Sequence, residues 1–202
     1  LVARTRVHPN LLSALGLALS LSATVSFAVG RFVPAGIAML AAGLADWLDG
    51  AVARAQGRVS RFGEFLDSSL DCYSDLVIFV GLLVYYARVN RFLYAVLVCV
   101  GMAGSVMIGY ARARSDSLVA HGDPHPIIGV NRGFWERPER MGLILLGALT
   151  NRMAPVLWVL AIGPNMSVVG TILGARRKIR LLAAQEAAQA TSSPQQMVSP
   201  GR

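Results

Sequence analysis

Four aspartates carry the strongest chemical signal in this chain. They lie in the run DWLDGAVARAQGRVSRFGEFLDSSLD, residues 46–71, which also holds Glu64. Asp46, Asp49, Gly50, Ala53 and Arg54 are spaced i, i+3, i+4, i+7, i+8 and share one face of a helix. Gly63, Asp67 and Asp71 are spaced i, i+4, i+8 and share a face of the next helix. Side-chain oxygens from two facing helices make a hard donor set, suited to Mg²⁺, Mn²⁺ or Ca²⁺. No thiolate or histidine joins them, which argues against zinc and copper. Four carboxylates could hold two ions roughly 3.5–4 Å apart, the spacing of two-metal phosphoryl chemistry. Gly50 and Gly63 remove side chains where a substrate must approach the backbone, and Arg54 completes the face as a phosphate ligand. Solvated helix-end charges would be the bland alternative. They explain the pattern poorly, because clustered carboxylates beside apolar segments repel one another and cost about 2.5–3.5 kcal/mol each near mid-bilayer.

The elements around the aspartates are apolar. Of 202 residues, 54% are hydrophobic and 15% charged, and the apolar runs recur at lengths near those of membrane spans. The pattern predicts an all-α integral membrane protein with six transmembrane helices, at 10–29, 32–54, 64–87, 92–113, 138–151 and 154–175. A short interfacial segment, LVARTRVHPN, precedes them, and both termini face the cytosol. Residues 1–182 form one domain, and 183–202 are a helix end followed by a polar, disordered tail. The chain opens on Leu1, so its native start is expected to lie upstream, and no signal peptide is visible. With this topology four basic residues, Arg31, Arg88, Arg91 and Arg152, fall outside, and the other 15 of the 19 fall inside. The aspartates then sit at the cytosolic ends of the second and third spans.

The net charge of +8 is distributed at the ends of apolar runs, with no basic domain or aromatic platform, so nucleic acid is not an expected partner. Cys72 and Cys99 lack metal-ligand spacing and are expected as buried free thiols. His121 and His125 sit among prolines in a loop and are not expected to bind metal. Asp75 extends the Asp67/Asp71 face by one more turn, as a support to the site or a polar helix contact, and Glu64 falls off that face. Gly16, Gly36, Gly43, Gly101 and Gly104 are expected to permit close helix packing.

The aspartate run reads D-x-x-D-G-x-x-A-R-x8-G-x3-D-x3-D without departure: Asp46, Asp49, Gly50, Ala53, Arg54, Gly63, Asp67, Asp71. It resembles the signature of the CDP-alcohol phosphotransferase family, also called CDP-alcohol phosphatidyltransferases. The resemblance implies transfer of a substituted phosphate from a CDP-linked lipid, such as CDP-diacylglycerol, to an alcohol, with release of CMP. It implies a homodimer in the cell membrane with its active site facing the cytosol. Asp46, Asp49, Asp67 and Asp71 would bind the metal, and Asp71 would also act as general base. Asp46, Gly50, Ala53, Arg54 and Gly63 would line the nucleotide and its diphosphate.

The acceptor must be read elsewhere. YARARSDS, ERPER and ARRKIR, at residues 110–117, 136–140 and 175–180, all fall at cytosolic helix ends and could form one basic pocket for a phosphorylated alcohol. Positive-inside bias is the competing explanation for each. These segments are similar to those of the prokaryotic phosphatidylinositol-phosphate synthase branch, including its archaeal relatives. That similarity implies Arg112, Arg114 and Arg140, with Arg177 or Arg180, as ligands of the acceptor phosphate, and inositol phosphate as the acceptor. Glycerol 3-phosphate is the alternative. The loop AHGDPHPIIGVNRGFW is longer than the branch's usual loop and could reshape the pocket. A different class, an ion-coupled transporter, would place its aspartates near the midplane between inverted repeats, and neither feature is seen.

Overall fold

A computed structural model of the chain describes residues 9–55, 61–120 and 135–192. They form six helices: α1 (Pro9–Ala28), α2 (Phe32–Ala55), α3 (Arg61–Arg88), α4 (Phe92–Ala120), α5 (Arg137–Leu149) and α6 (Met153–Ser192). No strand occurs among the described residues. The six coincide with the six expected segments. The largest difference is α6, which runs to Ser192, past the expected span end at 175 and through the helix end expected after 183. Its extension, LLAAQEAAQATS, is rich in alanine, leucine and glutamine, which are strong helix formers.

Three tight turns at one end of the bundle are built alike. After α1, Gly30 takes φ 79°, its N–H donates to Phe27 O at 2.9 Å, and the Arg31 N–H donates to Ser26 O at 2.8 Å. This is a Schellman closure, which needs a left-handed residue. Asn90 (φ 54°) and Asn151 (φ 53°) fill the same role after α3 and α5, with Arg91 N–H to Tyr86 O and Arg152 N–H to Gly147 O both at 2.9 Å. Gly30 has a second reason to lack a side chain: a Cβ there would stand 2.6 Å from the Tyr85 ring. Arg88 at the end of α3 donates to Ala28 O at the end of α1, so these two helices run parallel. Gly36, early in α2, meets Ala148 and Leu149 at the end of α5. The three turns therefore share one end, and the aspartate helices present the opposite end.

Helix α1 packs on α2 and α3, α4 on α3 and α6, and α5 on α2 and α6. Phe27, Phe79, Leu82, Val98, Ile144, Leu157 and Leu160 form the centre. Several contacts depend on small residues. A Cβ on Gly81 would stand 2.5 Å from Thr24 O, and one on Gly104 would stand 2.6 Å from the Asn165 amide. That amide, just after Pro164 in α6, donates to Ala161 O at 2.9 Å and to Val100 O of α4 at 3.0 Å. Gly36 and Gly101 are close-packed as expected, but Gly16 makes only ordinary contacts and Gly43 has nothing within 4 Å. These two open onto a cavity.

The outer surface is apolar. Val25, Ile37, Phe92, Ile162 and Ile172 all point away from the bundle, a surface suited to lipid and poorly suited to water. Ser68–Arg88, Phe92–Ala111 and Met153–Gly174 are long and apolar enough to cross a bilayer, while the apolar stretches Leu15–Ala28 and Phe32–Leu48 are shorter among the described residues. Helix α2 runs on past Asp46 and Asp49 to Ala55. Helix α5, with 13 residues, is about 20 Å long at 1.5 Å per residue, against about 30 Å of hydrocarbon. Cys72 and Cys99 are free, as expected, but exposed and not buried. A thiol is apolar enough to be compatible with an outward, lipid-compatible face.

Candidate active site

The site lies at the end opposite the three turns, where α2 finishes and α3 and α5 begin. Asp46 comes from the last turns of α2, Asp71 and Asp75 from consecutive turns of α3, and Arg137 is the first residue of α5. Pro138 follows Arg137 inside the first turn, where its missing N–H costs nothing. This start places the Arg137 guanidinium among the acids. Its Nη1 is 2.7 Å from Asp71 Oδ2 and 3.5 Å from Asp46 Oδ2, and its Nε donates to Asp75 Oδ1 at 3.0 Å. One cation thus bridges carboxylates of two helices. Burial alone would lower the Arg137 pKa, but the carboxylates of Asp75, Asp71 and Asp46 outweigh it and hold the group above its ordinary value.

Arg140, one turn further along α5, is 6% exposed. Its Nη1 donates to Trp135 O at 2.7 Å, and its Nη2 is 3.5 Å from Asp75 Oδ2. Asp75, itself buried, is therefore the polar helix contact that ties α5 to α3. Trp135, just ahead of α5, rests its indole on Gly163 of α6, where any Cβ would collide with the ring. The segment that delivers Arg137 is held from both sides.

A cavity of about 230 Å³ opens from this cluster. Asp46, Asp71, Asp75 and Arg137 line its polar end, and Leu17, Met39, Ala42 and Ile78 line the other, with Gly16 and Gly43 leaving the space. It is smaller than the roughly 300–1,000 Å³ of a typical ligand pocket, so it admits part of an amphipathic molecule and not the whole.

The other residues singled out from the sequence are distributed around this end. Asp49, Gly50, Ala53 and Arg54 are on α2 and Asp67 is on α3, one turn from Asp71, but their side chains lie outside the described residues. Gly63 is exposed in the first turn of α3. Arg112 and Arg114 are in the C-terminal part of α4, and Arg177 and Arg180 in that of α6, both of which run toward the site end. Arg114 and Arg180 are exposed, and the side chains of Arg112 and Arg177 lie outside the described residues, as do His121, His125 and the side chain of Glu64. Among the described residues no group of three or more ligating side chains could hold a metal ion. Asp46 and Asp71 nonetheless reach one cationic group from two helices, and their oxygens are of the kind a hard divalent ion takes. The residues present fit such an ion.

Arg137 was not anticipated as part of the site. It sits in the same ERPER run as Arg140, and the signal for it was positional: it is the residue that enters α5 just before Pro138.

The chain is 30% identical over 175 residues to the archaetidylinositol phosphate synthase of Pyrococcus horikoshii, covering 87% of each chain. It is 31% identical over 176 residues to the phosphatidylinositol phosphate synthase of Mycobacterium tuberculosis, covering 84% of this chain and 76% of that one. The fold matches the crystal structure of the M. tuberculosis phosphatidylinositol phosphate synthase with CDP-DAG bound, with a TM-score of 0.74 and 25% identity over 98% of this chain and 94% of that one. It also matches that enzyme in complex with manganese and citrate, with a TM-score of 0.65 and 26% identity over 96% and 88% of the two chains. The family model matched is that of a transferase, which sets aside the ion-coupled transporter. By its match over residues 6–163, the chain belongs to the CDP-alcohol phosphatidyltransferase family.

Proposed function

We propose that the protein transfers a phosphatidyl group from a CDP-linked lipid, such as CDP-diacylglycerol, to a hydroxyl of inositol phosphate, releasing CMP in a step of phospholipid synthesis. The observation that carries this reading is the convergence of Asp46 and Asp71 on one cation, 3.5 and 2.7 Å from the same nitrogen, at the polar end of a cavity whose other end is apolar. That polarity matches a lipid joined to a charged diphosphate. The relatives named above support the choice of acceptor.

Asp46, Asp49, Asp67 and Asp71 would hold one or two divalent cations, Mg²⁺ or Mn²⁺, with Ca²⁺ able to occupy the same oxygens. Such ions supply neutralising charge to the diphosphate and to the leaving CMP. Asp46, Gly50, Ala53, Arg54 and Gly63 would line the nucleotide and diphosphate. Asp71 takes the proton of the acceptor hydroxyl. The hydroxyl oxygen then bonds to the phosphatidyl phosphorus, and the bond from that phosphorus to the bridging oxygen breaks, CMP leaving with the electron pair. Arg112, Arg114 and Arg177 or Arg180 would bind the acceptor phosphate, with Arg140 contributing from the start of α5.

The same reading places the chain in the cell membrane with six spans, both termini and the active site on the cytosolic side, and a homodimer as the working unit. The three turns carry the outside arginines Arg31, Arg91 and Arg152, and the site end carries the denser positive charge. Residues 1–182 make up the catalytic domain.

Purified protein supplied with CDP-diacylglycerol and Mn²⁺ or Mg²⁺ tests this against a panel of inositol phosphate, glycerol 3-phosphate, inositol and serine, reading CMP release. Inositol phosphate is expected to give the fastest release. Preference for glycerol 3-phosphate would overturn the acceptor, and no release with any acceptor would overturn the reaction.

A further inference from the structure

We infer that Arg137 is a built-in competitor for the divalent cation: it holds the acidic cluster together when no metal is bound, and one of its two contacting edges must withdraw when metal arrives. The inference rests on the metal reading above and adds to it a residue outside the aspartate motif. Nη1 alone spans Asp71 Oδ2 and Asp46 Oδ2, at 2.7 and 3.5 Å. An ion bound to those two oxygens at about 2.0–2.6 Å would take the ground this nitrogen occupies, and two positive charges cannot share it. The other edge has no such conflict. Nε donates to Asp75 at 3.0 Å, one turn further along α3, where Asp75 is also paired with Arg140. The Nε–Asp75 bond is therefore the pivot, and Nη1 is the part that moves.

Metal affinity is then net of the Arg137 contact. A purely structural role for Arg137 makes the opposite forecast: without it the carboxylates of α2 and α3 would splay, and metal would bind more weakly. The sign of the change separates the two.

The experiment is Mn²⁺ titration of the detergent-purified full chain, without substrates, with free Mn²⁺ read by electron paramagnetic resonance. Arg137→Gln is expected to bind Mn²⁺ about tenfold tighter, the scale of one lost hydrogen bond to a charged group. Arg140→Gln removes an equal charge that is paired with the pivot, Asp75, and is expected to change affinity by less than about threefold. Metal-free Arg137→Gln should also melt below the wild type and gain more from added Mn²⁺. Unchanged or weaker Mn²⁺ binding in Arg137→Gln overturns the inference while leaving the metal reading intact, and so does equal tightening in Arg140→Gln. Absence of Mn²⁺ binding in the wild type and all variants overturns the metal reading and this inference with it. If Arg137→Gln does not fold, Arg137→Lys keeps the charge but loses the fork that serves two edges. It is expected to bind Mn²⁺ about threefold tighter, and weaker binding there overturns the inference.

Discussion

Asp75→Asn isolates the contact that fixes α5. Asp75 is 7% exposed and faces two guanidinium groups, Arg137 at 3.0 Å and Arg140 at 3.5 Å. The two would respond differently to its loss of charge. Arg137 retains Asp71 at 2.7 Å and is 35% exposed, so its share of the cost is on the order of 0.5–1 kcal/mol. Arg140 retains the Trp135 carbonyl at 2.7 Å but is buried, and breaking a buried ion pair from one side costs about 3–5 kcal/mol. The asparagine oxygen can still accept from one of the two arginines, which brings the expected total to about 2–4 kcal/mol. At about 2–4 °C per kcal/mol for a chain of this size, the melting temperature of the metal-free protein in detergent should fall by roughly 5–15 °C.

The double variant Asp75→Asn/Arg140→Met makes the reasoning refutable. Removing the buried charge along with its partner should recover about half of the loss or more, because a buried pair replaced by apolar groups is often near neutral. A double-mutant cycle should give a coupling of about 1–3 kcal/mol. Additive losses, with coupling under about 0.5 kcal/mol, would show that Asp75 and Arg140 do not act as a pair. A shift of less than about 2 °C for Asp75→Asn alone would show that the pair is not buried in the way described.

Three further outcomes can be checked with the same preparation. Gly81→Ala drives a Cβ against the backbone oxygen of Thr24, 2.5 Å away, and should destabilise by about 1–3 kcal/mol in thermal melts; Gly109→Ala, with nothing within 4 Å, should be neutral or gain up to about 1 kcal/mol. Asp71→Asn should lower CMP release by at least about 100-fold while CDP-lipid binding, read by ligand-induced thermal stabilisation, stays near the wild-type level; full activity would remove Asp71 from the role of base. Gly163→Val pushes the Trp135 indole off α6, so CMP release should fall by about tenfold, the scale of a small displacement of positioning groups, and the tryptophan emission should shift; unchanged emission would mean that the indole does not rest there.

The helices were legible because apolar length and the residues ending each segment are local properties. Gly30, Asn90 and Asn151 are residue types that tolerate a left-handed φ, and each ends a helix close to where the hydropathy pattern ends. The meeting of Asp46 and Asp71 at one end was legible for the same reason, since helical spacing fixes a face whatever the tertiary fold. Depth and partnership were not local. Asp71 and Asp75 have the same spacing and residue type, yet Asp71 lines the cavity mouth partly exposed and Asp75 is sealed between α3 and α5. Gly36 and Gly43 look alike in sequence; one is packed against α5 and the other borders empty space. Arg137 could be placed only once α5 was known to start at that residue and to bring its first turn to Asp71 and Asp75 of α3.

Helix α5 shows why the cluster belongs to folding as much as to chemistry. It is short, and its buried positions are Arg140, Ile144, Gly147 and Ala148, of which Ile144 alone is a large apolar side chain. Met141, Leu143 and Leu145 add partly buried contacts with the core, so apolar burial holds the later turns of α5. Its first turn is held instead by charge, through Arg137 to Asp46, Asp71 and Asp75 and through Arg140 to Asp75. The acids proposed above to hold a cation also dock the helix that carries the ERPER arginines. The same charges therefore set where the first turn of α5, with Arg137 and Arg140, is held.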